Sequence, residues 1–189
     1  MVERPEQFRK QPQKIQQVPI RESQDFRDAK NAFQKAINPS EIGKAGMADL
    51  IRTNLAIIAD RNPDAAAAAA SEAMLSKDRF AQMLAGEVFL RVGRKISPEQ
   101  SVNAINTFVD NATLIPYLKD TGYLDSVLRG FDTLDFAAWK NRKSGFIVGV
   151  REERINQVRR DLEEIEKQMN EEQNPLLSTV AGRLREKLG

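Results

Sequence analysis

One stretch constrains the fold more than any other: residues 145–173, GFIVGVREERINQVRRDLEEIEKQMNEEQ. Within it Ile155, Val158, Leu162, Ile165 and Met169 recur at spacings of three, four, three and four. That is an a/d seam, continued one heptad upstream by Val148 and interrupted by Arg151 at a d position. Helical throughout, the run makes a rod roughly 43 Å long. A compact domain of this size is little wider, so the pattern predicts a long helix that projects or lies against a partner. The seam has three possible covers: the chain's own core, a second copy, or a different protein. Three heptads with an arginine at a d position make a marginal free dimer. Burial within a larger assembly is therefore the expectation for Val148, Ile155, Val158, Leu162, Ile165 and Met169.

The rest of the chain predicts an all-α fold: a multi-helix, orthogonal or bundle-like core, with an extended arm before it and the long heptad helix after it. Sustained alternation of period two is missing, and residues 145–150 are the only β-like fragment. The divisions are an arm over residues 1–22, a helical core over 23–144, the heptad helix over 145–173 and a short amphipathic helix over 174–189. Pro5, Pro12 and Pro19 punctuate the arm, and its glutamines and charges leave too little apolar surface to offset ordering entropy alone. Phe8, Ile15, Val18 and Ile20 are its candidate anchors on a neighbouring subunit.

Cap chemistry marks the helices of the core. Ser23 opens a first helix with Phe26, Ala29, Phe33, Ala36 and Ile37 on one face, and Asn38-Pro39 ends it. Ser40 opens a second, carrying Met47, Leu50, Ile51, Leu55 and Ile58. Asn62-Pro63-Asp64 is a cap, a first-turn proline and an acid at the positive dipole end. Six alanines follow at residues 65–70 and read as a thin helix that lets its neighbours approach closely. Ser76-Lys77-Asp78 opens a fourth helix containing Phe80, Met83, Leu84, Val88, Leu90 and Val92. Ser97-Pro98-Glu99-Gln100 has the form of a capping box. Two short helices follow, with a break near Gly130 and Asp132 read as the next N-cap. Asn174-Pro175 stops the rod before a last helix built on Leu177, Val180, Leu184 and Leu188.

Composition narrows the chemistry. The 189 residues contain neither cysteine nor histidine, so disulfides, thiolate catalysis, imidazole general bases and ordinary zinc sites are excluded. Carboxylate, lysine and tyrosine chemistry remain. The adjacent pairs Glu152-Glu153, Glu163-Glu164 and Glu171-Glu172 point about 100° apart on a helix and flank the seam, as solvated coiled-coil positions do. Asp132 and Asp135 share a helical face but nothing nearby completes a site. Gly43-Lys44 and Gly93-Arg94-Lys95 lack the glycines and the strand of a phosphate loop. No cofactor or metal is expected, and the chain reads as non-enzymatic.

The net charge of +2 gives no global field for nucleic acid or anionic membrane. One local cluster does suggest nucleic acid: Trp139, the chain's only tryptophan, sits beside Lys140, Arg142 and Lys143. Aromatic stacking combined with cations is how single strands are held. Arg91, Arg94 and Lys95 would extend that surface if the two helix ends meet. The plainer reading packs Trp139 in the core and leaves the cations at a helix C-terminus, where the dipole favours them.

No apolar run approaches the ~18 residues of a membrane span, and residues 1–20 do not resemble a secretory signal. The expected location is the cytoplasm, or the inside of a particle assembled there. In organisation, the arm, helical body and long helix are similar to subunits of multi-protein particles such as internal or head proteins of bacterial viruses. The leading expectation is a structural or adaptor subunit of an oligomeric, self-associating assembly. The alternative is a helical nucleic-acid-binding protein using Trp139, Lys140, Arg142 and Lys143.

Overall fold

The computed structural model describes residues 19–111, 113–143 and 150–189, and every regular element among them is a helix. Three of the arm anchors, Phe8, Ile15 and Val18, lie outside the described residues, as does Val148 of the seam. The body begins before Ser23: a single 3-10 turn at Ile20–Glu22 packs Ile20 against the core. Arg27 Nη2 donates to Glu22 O at 2.8 Å, tying that turn to the first helix.

Helix α1 (Gln24–Ile37) starts where Ser23 Oγ accepts from Phe26 N at 3.2 Å, and it buries Phe26, Ala29, Ala32, Phe33 and Ala36. The expected second helix is split in two. Asn38, not Ser40, caps a single turn, α2 (Pro39–Ile42). Gly46 then takes φ +74°, a left-handed conformation that suits glycine, and α3 (Met47–Arg61) starts afresh.

Asn62 Oδ1 accepts from Ala65 N at 3.2 Å to open α4 (Pro63–Met74). All six alanines of residues 65–70 are buried. Their small side chains let α4 run through the centre of the body in contact with α1 and α3 and with two helices that follow it, α5 (Arg79–Val92) and α6 (Pro98–Asn111). Asp78 caps α5 through Ala81 N at 2.8 Å. At α6 the capping box is half formed. Ser97 Oγ accepts from Gln100 N at 3.3 Å, but Ser97 N donates to Asp64 Oδ1 at 2.7 Å. Asp64 thus serves the start of α4 and locks the start of α6 to it.

A 3-10 turn at Ile115–Tyr117 leads into α7 (Thr121–Asp132), which Asp120 caps through Tyr123 N. The predicted break near Gly130 is not there, because Gly130 lies buried inside α7 against α5. Asp132 ends α7, and the N-cap of α8 (Phe136–Lys143) is Asp135, whose Oδ1 accepts from Ala138 N at 2.8 Å. Phe89, Phe108 and Phe131 join α5, α6 and α7. The ring centroids of Phe131 stand 5.0 Å from Phe89 and 4.2 Å from Phe108, contacts that add to burial energy.

The heptad run forms α9 (Val150–Glu171) and turns back sharply. Gln173 takes φ +59°, Asn174 caps, and α10 (Pro175–Leu188) returns antiparallel along α9. Ser178 Oγ donates to Asn170 Oδ1 at 2.9 Å near the turn, and Arg185 lies 3.1 Å from Glu166 further down. The hairpin does not project. Helix α9 packs on α6 and α10 packs on α7, so the core and the heptad helix share one apolar cluster.

Candidate interaction surface

The seam is covered by the chain itself. Ile155, Val158, Leu162, Ile165 and Met169 are all buried, the last three completely. They share a cluster with Leu177, Val180, Leu184 and Leu188 of α10. The expected cover was an assembly partner; in the single chain the protein's own helices lie over these five residues. The reason is the tight turn at Gln173 and Asn174, which supplies an apolar partner helix within the same chain. Fully burying each such side chain is worth about 1.5–3 kcal/mol, and the five described residues of the seam leave no exposed apolar stripe.

The aromatic and basic residues of the cluster differ in burial. Trp139 is 2% exposed, its indole N–H donates to Asn106 Oδ1 at 3.0 Å, and its ring meets Phe136 edge-on at 6.0 Å. Lys140 and Arg142 stand exposed on α8, Lys140 about 100° and Arg142 about 60° round the helix from Trp139, while the side chain of Lys143 lies outside the described residues. Trp139 thus presents no exposed ring face for a base to stack on, in keeping with the plainer reading that packs it in the core. Arg91 at the end of α5 is held by Asp60 of α3, with Nε donating at 2.9 Å, and Lys95 lies 3.9 Å from the same carboxylate. The single Asp60 carboxylate thus offsets only part of the charge of these two exposed cations.

Asp132 is a structural anchor. Arg183 donates to its carboxylate from Nε at 3.1 Å and Nη2 at 2.6 Å, and Lys187 Nζ donates to Oδ1 at 2.7 Å. Burial alone would raise the Asp132 pKa, but the hydrogen bonds and charges of Arg183 and Lys187 outweigh it and hold the carboxyl below its ordinary value. The sequence did not signal this clamp between α7 and α10, because its members lie far apart along the chain. Among the described residues no group of three or more acids could hold a metal ion, and no helix is long and apolar enough to cross a membrane.

One open apolar surface lies along α1 and α3. The two helices run antiparallel: Arg61 at the end of α3 pairs with Asp25 at the start of α1, and Asn62 Nδ2 donates to the same carboxylate at 3.1 Å. Between them lies a groove of about 400 Å³. Ala32, Ile51 and Ile58 form its floor, and Leu50 and Ile57 stand on its wall, 50% and 54% exposed. Asp28 and Lys35 line its rim, and Asn54 lies between Leu50 and Ile57 on α3. Leu50 and Ile51 were both expected among the apolar residues that this helix carries. Neighbouring residues point about 100° apart on a helix, so burying Ile51 against α1 and α4 turns Leu50 outward.

A search of known proteins finds no family model, no curated protein and no solved structure that matches this chain.

Proposed function

We propose that this chain is a non-enzymatic structural or adaptor subunit of an oligomeric assembly. The observation that carries the reading is the pair Leu50 and Ile57, exposed seven residues apart on α3 beside an apolar groove. A single exposed leucine is ordinary on a soluble protein, but two exposed apolar side chains on one helix face, beside a groove floored by Ala32, Ile51 and Ile58, are the kind of surface that a partner covers. The seam that first suggested assembly is closed within the chain, so this face takes over the role. A particle assembled in the cytoplasm, including a virion, is the setting in keeping with the organisation of the sequence.

The test is native mass. Light scattering on the purified chain at tens of micromolar should give a multiple of 21.3 kDa. A single-chain mass across that range, with or without salt, would remove the self-associating form of the proposal.

A further inference from the structure

The chemistry of the α1/α3 face specifies its occupant. Asp28 and Lys35 lie seven residues apart on α1, and Leu50 and Ile57 lie seven apart on α3. Both pairs therefore span about 10.5 Å along their helices. The contact of Arg61 with Asp25 sets the register between the two helices. It puts Asp28 at the Ile57 end of the groove and Lys35 at the Leu50 end. The midpoints of both pairs fall level, beside Asn31 and Asn54, which also line the groove.

A surface with that layout is complementary to itself. Rotating a second copy by a half turn, about an axis lying in the face and crossing the helices at Asn54, reverses both helices. Leu50 then meets Ile57 of the other copy, and Asp28 meets Lys35 of the other copy, each twice. Asn54 meets its own counterpart on the axis, where a side-chain amide can both donate and accept. We propose that the α1/α3 face is a two-fold, isologous contact between two copies of this chain. The inference rests on the reading of the chain as an assembly subunit and names the surface and symmetry of its self-contact. A different helical partner would need only the apolar strip, and would give no reason for charges of opposite sign at matched spacing about a common midpoint.

The symmetry gives a test that a structural role would not satisfy. Asp28→Lys sets two lysines against two lysines across the axis, and Lys35→Asp sets two aspartates against two aspartates. Each variant alone should self-associate about tenfold more weakly than the parent in sedimentation equilibrium. Mixed together, the two variants are complementary at both sites and should recover association as a one-to-one species. The chain carrying both substitutions should associate like the parent. Asp28 accepts from Gln24 Nε2 at 2.7 Å, a local bond on an exposed helix face, and recovery on mixing shows that both variants are folded. Parental association by each single variant, or no recovery on mixing, overturns the two-fold face and leaves the oligomeric reading standing. A parent chain that is itself monomeric overturns both.

Discussion

Gly86 on α5 and Gly130 on α7 pack backbone against backbone. A Cβ placed on Gly130 would stand 3.0 Å from Gly86 Cα, and one placed on Gly86 would stand 2.8 Å from Val127 Cα. Neither obstacle is a side chain that could swing away. The two helices cross at this point, and the Phe89 to Phe131 contact lies beside it, three residues on from Gly86 and next to Gly130. Close approach here is what brings the three core phenylalanines together.

Gly130→Ala is therefore expected to destabilise the protein although it improves helix propensity. The propensity gain is about 1 kcal/mol, and forcing packed backbones apart costs about 1–3 kcal/mol. The urea midpoint should fall, and Gly86→Ala should behave alike. A raised midpoint in both would mean that the α5/α7 crossing yields freely.

The Asp132 clamp makes a pH prediction. Its carboxyl is held below the ordinary aspartate value in the folded protein, so its contribution is fully present above the unfolded pKa of about 3.9. It is lost as pH falls through the lower, folded value. Asp132→Asn should cost about 1–2 kcal/mol at pH 7, towards the low end because Arg183 is half exposed. The melting-temperature gap between variant and parent should narrow steadily below about pH 4. A gap that stays constant down to pH 2.5 would show that the charge on Asp132 contributes nothing.

Trp139 reports on the nucleic-acid reading. As the chain's only tryptophan, it should emit at the blue-shifted wavelengths of a buried indole and resist iodide quenching. Added single-stranded DNA should leave that emission unchanged, because the ring faces Asn106 and Phe136 inside the body. Quenching by DNA that disappears at high salt, as a phosphate-driven contact requires, would restore stacking at this residue.

Local chemistry was legible in the sequence, and tertiary chemistry was not. Ser23, Asn62, Asp78, Ser97 and Asn174 announce their helices because a cap bonds an N–H two or three residues away. Gly130 misled because its neighbour is Gly86, whose contact is invisible to any window along the chain. Asp132 misled in the same way: a cap and an interhelical anchor look alike until α10 arrives. The heptad seam stated that Leu162 would be covered, yet periodicity carries no information about which molecule covers it. The exposure of Leu50 and Ile57 was hardest to see, since they differ from core residues only in the direction α3 turns them.

Leu162 gives the sharpest test of the seam as the structure closes it. The side chain is fully buried between α9 and its surroundings, in one cluster with Leu184 of α10 and Phe108 of α6. Leu162→Asp would place a carboxylate there without a partner, at a cost of several kcal/mol unless the contact opens to water. Because the cover is intramolecular, the melting temperature should fall sharply even in dilute protein, and the fall should not depend on concentration. Glu163→Gln, one residue round the helix, removes a charge that lies 3.7 Å from Arg185 on an exposed flank and should change stability little. A Leu162→Asp chain that melts like the parent but loses native mass would return the seam to an interface between copies. It would also mean that α10 does not hold its place against α9 in solution.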